Sequence, residues 1–226
     1  MCHWDTSSGF HPFDRFIDAD YLDGLVRVYK EDQTTRAIQI SRNELFSFCI
    51  ECGVPEAKTS PDTIIDFYTT KLFSDQLKGM FAETIILVEG ATEFFALPVF
   101  LKRIGFSLAE HGVEIINCRG KDSIPLFWRL FKAYGYNCYF IFDGDSKTDA
   151  NAKIFKGIIT TNYWETASDK YVMTDQYAYF GADFEKYFRA VMPVVSQTSS
   201  NRCSVIVRAA EAVPMPVSAG RIIMRI

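Results

Sequence analysis

The chain has 226 residues, of which 48% are hydrophobic and 15% aromatic, which suits one medium-sized domain or one domain plus part of a second. It contains no run of about 18 apolar residues, so we expect no membrane-spanning helix and no membrane partner. The formal charge of −4 and the pI near 5.5 argue against a protein that binds nucleic acid by bulk charge alone. They leave room for a local basic groove or for phosphate contact through a metal.

The first ten residues, MCHWDTSSGF, lack the basic region and apolar core of a secretory signal. We therefore expect a cytoplasmic protein whose six cysteines are reduced. The stretch CIEC at 49–52 has zinc or redox spacing, but no second pair and no well-placed histidine completes a four-ligand site. We expect two ordinary cysteines on a helix that ends near Gly53.

The first 80 residues predict a small mixed α+β segment. LVRVYKEDQTTRAIQIS predicts a hairpin with a polar turn around Glu31–Gln33. RNELFSFCIEC and PDTIIDFYTTKLFSDQLKGMF predict two helices, the second with Pro61 near its start.

From residue 82 onward, short apolar runs alternate with helical patterns. The runs are TIILV (84–88), VEIIN (113–117) and CYFIF (138–142), and the helical patterns cover 92–105 and 122–135. This order predicts an α/β fold with a parallel sheet and right-handed crossovers. If the strand order is 2-1-3, the first and third strands are neighbours, and ligands are expected beyond their carboxyl ends.

Acidic residues follow the first and third of these strands. ILVEGATE puts Glu89 at the end of the first strand and Glu93 in the first helical turn, where the helix dipole favours a carboxylate. YFIFDGDSK ends the third strand with Asp143 and Asp145. Two carboxylates roughly 5 Å apart repel by about 3 kcal/mol at an effective dielectric of about 20. A positive partner is therefore expected at this edge of the sheet.

A divalent cation is the partner that the four carboxylates favour, because Mg²⁺ and Mn²⁺ are hard cations that bind oxygen ligands. The alternative is that the D-G-D stretch is an ordinary solvated turn. Lys147 and Thr148 do not fit an EF-hand loop, and Lys147 does not fit the threonine position of a D-x-D-x-T phosphatase motif. RGKDS at 119–123 does not fit a Walker A loop.

The paired acidic pattern resembles the Toprim (topoisomerase-primase) domain, in which an E-G-x-x-E segment and a D-x-D segment each follow an apolar strand. LVEGATE, with FAETIILVEG, CRGKDSIPLFWRLFKAYGY and FDGDSK, is similar to the overcoming-lysogenization-defect (OLD) nuclease family over roughly 81–190. The resemblance implies a Rossmann-like parallel sheet flanked by helices and a metal-dependent DNA endonuclease. At the level of the family it also implies a role in anti-phage defence.

The same resemblance implies roles for individual residues. The implied ligands of a two-metal site are Glu89, Glu93, Asp143, Asp145 and Glu185. Gly120 and Lys121, just past the second strand, are expected to approach a DNA phosphate, and Lys121 also to assist catalysis. Ser146 and Lys147 are further candidates for phosphate contact. The alternatives are an exposed helix glutamate at Glu185 and an ordinary surface lysine at Lys121.

In this family an ABC-type ATPase precedes the Toprim domain, and LVRVYKEDQTTRAIQIS is similar to the hairpin near the end of that ATPase. Walker A and Walker B motifs are not recognisable, so we expect no ATP site in this chain. We interpret 1–80 as a remnant of the ATPase domain, 81–190 as the Toprim domain and 191–226 as an irregular tail. The chain is thus expected to be a C-terminal or truncated portion that forms a homo-oligomer or lacks an ATPase module.

Two observations keep other functions open. The family places a lysine after the acidic motifs, whereas residues 191–226 contain none, so a non-catalytic Toprim scaffold that binds DNA or a partner is the main alternative. A topoisomerase or primase is a further alternative. It would need a strand-cleaving tyrosine domain, or a zinc-binding and polymerase scaffold, and neither is recognisable.

Overall fold

A computed structural model describes residues 17–145, 148–159, 171–181 and 184. The main sheet contains β3 (Thr84–Val88), β4 (Val113–Asn117), β5 (Asn137–Asp143), β6 (Tyr171–Met173) and β7 (Tyr177–Phe180). Its strand order is β4-β3-β5-β7-β6, with β6 antiparallel to β7 and the other pairs parallel. The predicted α/β class is therefore confirmed, and the first three parallel strands have the 2-1-3 order that the sequence analysis considered.

Helices connect the parallel strands in the predicted βαβαβ order. α4 (Ala91–Arg103) joins β3 to β4, and α5 (Ile124–Ala133) joins β4 to β5 after a 3₁₀ turn at Lys121–Ser123. α6 (Thr148–Ile154) follows β5. Within the described ranges, no helix has both the length and the apolar character needed to cross a membrane.

The preceding segment contains the predicted hairpin and helices. β1 (Val26–Glu31) pairs antiparallel with β2 (Thr34–Gln39), and α1 (Arg42–Glu51), α2 (Pro61–Lys71) and α3 (Ser74–Leu77) follow. Further 3₁₀ turns cover Ala19–Gly24, Glu56–Lys58 and Lys78–Phe81.

The second helix predicted for this segment is wrong in extent. The chain leaves the α-helix at Leu72, whose backbone is extended (φ −84°, ψ 117°), and it resumes a helix at Ser74. The Gln76 side-chain oxygen accepts the Phe73 N–H at 3.1 Å, which satisfies a backbone donor at the start of the new helix. A helical pattern of apolar residues does not reveal such a break, because Leu72 at the break and Leu77 in the new helix are both buried.

Side chains that alternate along the strands build a core on each face of the sheet. Ile85 and Leu87 face α5, whereas Ile86 and Val88 face α4. The α5 side also includes Leu45 of α1 and Tyr68 of α2. The segment before residue 80 therefore shares one core with the sheet.

The cysteines of the CIEC stretch are buried in this core as free thiols. Cys49 lies on α1, where its sulfur is 3.7 Å from the Tyr68 hydroxyl, and Cys52 caps the end of the helix. Burial raises the pKa of both thiols. A raised pKa disfavours the thiolate that metal binding and redox exchange require, which agrees with the interpretation as ordinary cysteines.

Candidate active site

The carboxyl end of β3 delivers two glutamates. Glu89 directly follows the strand, and Gly90 caps the start of α4. The Glu93 carboxylate, only 4% exposed, accepts the Gly90 N–H at 3.1 Å. This contact holds the Glu93 carboxylate against the N-terminus of α4, where the helix dipole favours its negative charge.

The carboxyl end of β5 brings the second acidic motif against the first. The backbone N–H of Asp143 donates to a Glu89 carboxylate oxygen at 3.2 Å. The Asp143 side chain in turn accepts the backbone N–H of Phe184 at 3.0 Å. The neighbouring parallel strands β3 and β5 thus join the E-G-x-x-E and D-G-D segments directly.

Lys121 is the positive group that the structure places at this edge. Its ammonium lies 2.8 Å from a carboxylate oxygen of Asp145 and 3.8 Å from one of Glu89, and the side chain is only 9% exposed. Gly120 positions it: its N–H donates to the Glu89 carbonyl at 2.7 Å, and its φ of 134° is open to glycine but strained for other residues. The lysine therefore offsets charge on both acidic motifs.

Electrostatics at Glu89 reflect its partly enclosed position. Burial raises the pKa of the Glu89 carboxyl, while the Lys121 ammonium and the Asp143 N–H act in the opposite direction. A carboxylate that is costly to ionise gains more from a cation than an exposed one does.

The carboxylates at this edge are of the type that binds divalent metals, but in the described part of the chain their arrangement does not form a metal site. Within the described ranges, no group of three or more His, Cys, Asp or Glu side chains is arranged to hold a metal ion. Two of the carboxylates instead share the Lys121 ammonium. Glu89, Asp143 and Asp145 nevertheless carry the hard oxygen ligands that Mg²⁺ and Mn²⁺ prefer, and a bound cation would have to compete with the Lys121 ammonium for two of them.

Three of the residues that the sequence singled out lie outside the described residues. They are Ser146, Lys147 and Glu185. Their predicted roles in phosphate contact and metal binding stay predictions. Glu89, Glu93, Gly120, Lys121, Asp143 and Asp145 all lie at the carboxyl edge of the sheet.

Two neighbours of the D-G-D segment were not found by sequence reasoning. Asn151 of α6 is 1% exposed, and its amide donates to the Gly144 carbonyl at 2.9 Å. β7 runs beside β5, and the Gly144 N–H donates to the Phe180 carbonyl at 2.7 Å. The short apolar run YAYF at 177–180, bounded by Thr174–Gln176, was the available signal for this strand.

Gly144 has no space for a side chain. A Cβ built there would lie 2.6 Å from the Gly181 carbonyl oxygen and would also collide with the Tyr179 hydroxyl. We expect Gly144→Ala to lower the free energy of unfolding by about 1–3 kcal/mol, as other overpacked substitutions do. Thermal unfolding followed by circular dichroism measures the loss.

Gly24→Ala is the matched control, because its Cβ would meet nothing closer than 3.9 Å and its φ is not positive. We expect this variant to unfold within about 0.5 kcal/mol of the wild type, as surface substitutions usually do. Equal stability of the two variants would show that the D-G-D turn is not packed as described.

Comparison with known families agrees with this geometry. Residues 80–145 match the family model described as overcoming lysogenization defect protein-like, TOPRIM domain. The match spans β3 through the D-G-D segment and so includes both acidic motifs. No curated protein matches the chain.

Proposed function

We propose that this chain, whose residues 80–145 match the OLD-like Toprim domain, cleaves DNA phosphodiester bonds in a reaction that depends on Mg²⁺ or Mn²⁺. The observation that carries the proposal is the direct contact between the two acidic motifs, from the Asp143 N–H to the Glu89 carboxylate. By the same family relation, we propose a role in anti-phage defence.

In this proposal Glu89, Asp143 and Asp145 would hold the cation, with Glu93 beside them. A divalent cation held there would activate a water molecule and stabilise the leaving oxygen. The Asp143 N–H keeps the Glu89 carboxylate turned toward the D-G-D segment. Lys121 carries a positive charge at the same edge, and it would contact a DNA phosphate if a bound cation took its place beside Asp145 and Glu89.

One observation favours a second candidate, a Toprim scaffold that does not cleave. Lys121 already pairs with Glu89 and Asp145, and such pairing lets carboxylates coexist without any metal. The two candidates differ in their need for a cation, since a scaffold held together by Lys121 gains nothing from Mg²⁺.

Metal binding is the first expected result. At a Mn²⁺ concentration about 100 times Kd, binding to the native state alone adds about 2.7 kcal/mol of stability, which raises the melting temperature by several degrees. The Asp143→Asn/Asp145→Asn variant should lose this shift because its amides are poor ligands for a divalent cation. Differential scanning calorimetry with Mg²⁺ and with Mn²⁺ measures both proteins.

The matched control is Asp62→Asn/Asp66→Asn, which removes the same charge from exposed positions on α2. It should keep the shift of the wild type. A metal shift of equal size in the Asp143→Asn/Asp145→Asn variant would contradict the metal site.

The activity itself is tested on supercoiled plasmid, with the purified 226-residue chain and no ATP. We expect conversion to the nicked form with Mg²⁺ or Mn²⁺. Calcium should support DNA binding with little cleavage, because its looser coordination positions a water poorly. Absence of nicking with both metals would favour the scaffold.

A further inference from the structure

Arg119 and Phe73 form an exposed pair beside the acidic site. The Arg119 guanidinium lies over the Phe73 ring at 4.5 Å from its centre, with the arginine side chain 52% and the phenylalanine 50% exposed. An arginine stacked on a ring loses side-chain freedom but keeps N–H groups at its edge for a phosphate. The half-exposed Phe73 ring therefore gives the guanidinium a surface on which to stack.

A line of hydrogen bonds holds this pair in place. The buried Gln76 side chain accepts the Phe73 N–H at 3.1 Å and donates to the Asn117 carbonyl at 2.8 Å. The Asn117 side chain then accepts the Arg119 N–H at 2.8 Å. The Gln76 amide thus connects α3 to the end of β4 through its oxygen and its nitrogen. These bonds fix the positions of Phe73 and Arg119 relative to each other.

The backbone at Arg119 has an uncommon conformation next to the acidic site. Its φ is 58°, in the left-handed region that few residues other than glycine adopt. The next residue, Gly120, donates its N–H to the Glu89 carbonyl, and Lys121 follows. Arg119 therefore lies at the same carboxyl edge as the acidic site, two residues before the lysine that contacts it.

Asp75 is the present partner of this arginine. Its carboxylate lies 3.5 Å from the Arg119 guanidinium and 3.7 Å from the Lys78 ammonium. The Asp75 and Arg119 side chains are about half exposed, and exposed ion pairs of this kind are weak. A DNA phosphate can therefore replace Asp75, which leaves the stacked arginine in place.

We propose that Arg119, stacked on Phe73, binds a DNA backbone phosphate next to the acidic site, and that Asp75 competes with the phosphate for it. The proposal rests on DNA being the substrate, as proposed above. It assigns the phosphate contact to Arg119, the positioning role to Phe73 and Gln76, and a restraining role to Asp75.

The test measures binding of the 226-residue chain to a fluorescent duplex oligonucleotide in Ca²⁺ at several KCl concentrations. Arg119→Gln should lose one phosphate contact. The plot of log DNA-binding constant against log KCl concentration should therefore become less steep by about 0.9. Asp75→Asn should bind DNA several-fold more tightly, and the gain should vanish in the Arg119→Gln/Asp75→Asn double variant. Phe73→Leu, which keeps an apolar side chain but loses the ring, should bind more weakly than the wild type.

Glu31→Gln is the matched control, because Glu31 and Arg36 form a similarly exposed pair at 3.5 Å on the hairpin. Glu31→Gln removes one negative charge, as Asp75→Asn does. It should bind DNA within about twofold of the wild type, because a charge on the hairpin lies away from the proposed phosphate contact. If the wild type binds DNA, two results would overturn this inference alone. One is an Arg119→Gln variant whose binding has the same salt dependence as that of the wild type. The other is an Asp75→Asn variant whose DNA affinity equals that of Glu31→Gln. A wild type that does not bind DNA overturns it together with the proposed function.

Discussion

Replacing Glu89 by Gln, or Asp143 by Asn, should lower metal-dependent plasmid nicking by a factor of about 100 or more, the scale on which single electrostatic groups act in catalysis. Both substitutions keep the size of the side chain, and the amide oxygen that Glu89→Gln introduces can still accept the Asp143 N–H that now bonds to Glu89. What they remove is negative charge at the point where the two acidic motifs meet. Initial rates of nicking with Mn²⁺ measure the effect.

The double variant should be no slower than the slower single variant, because residues that act as one unit are not additive. Asp66→Asn, on the exposed face of α2, is the control and should nick at the rate of the wild type. Nicking at the full rate by Glu89→Gln would show that the activity comes from a contaminating nuclease.

Lys121→Met should change stability and metal affinity in opposite directions. Without metal, Glu89 and Asp145 lose the ammonium that contacts both, so we expect the free energy of unfolding to fall by about 1–2 kcal/mol, less than for a fully buried pair. With the ammonium gone, a divalent cation has no competitor for the two carboxylates, so Mn²⁺ should bind several-fold more tightly. Chemical denaturation and calorimetric titration with Mn²⁺ measure the two effects.

Lys71→Met at the exposed end of α2 is the control for loss of one positive charge. It should leave both quantities within about 0.5 kcal/mol of the wild type. Weaker Mn²⁺ binding by Lys121→Met would contradict competition and would indicate that the lysine supports the bound metal. Nicking by this variant should be reduced but measurable if Lys121 serves as a phosphate contact.

Several features of the fold followed from local patterns in the chain. The apolar runs 84–88, 113–117 and 138–142 predicted strands whose observed bounds differ by at most one residue at either end. The approach of Asp143 to Glu89 was expected on the condition that the first and third strands are neighbours, because neighbouring parallel strands end at the same edge. The hairpin was predicted equally well, since its turn at Asp32 and Gln33 is marked by polar residues.

Other features were beyond local patterns. The break at Leu72 depends on Gln76, whose amide is used by a backbone donor and by the distant Asn117 carbonyl. β7 is a strand of only four residues, and it forms because β5 offers it a parallel edge. The match to the family ends at residue 145, so it gives no information about that strand.

By itself the sequence determined which residues end the strands, because strand periodicity is a property of short segments. It also predicted that Glu89, Glu93, Asp143 and Asp145 share one edge if the first and third strands are neighbours. Only the tertiary structure decided that the positive partner within the described residues is Lys121, and that Arg119 stacks on Phe73. These pairs join residues 24 and 46 positions apart whose side chains meet only after the sheet and α3 have packed. Such contacts depend on rotamers and burial, which no local repeat in the chain encodes.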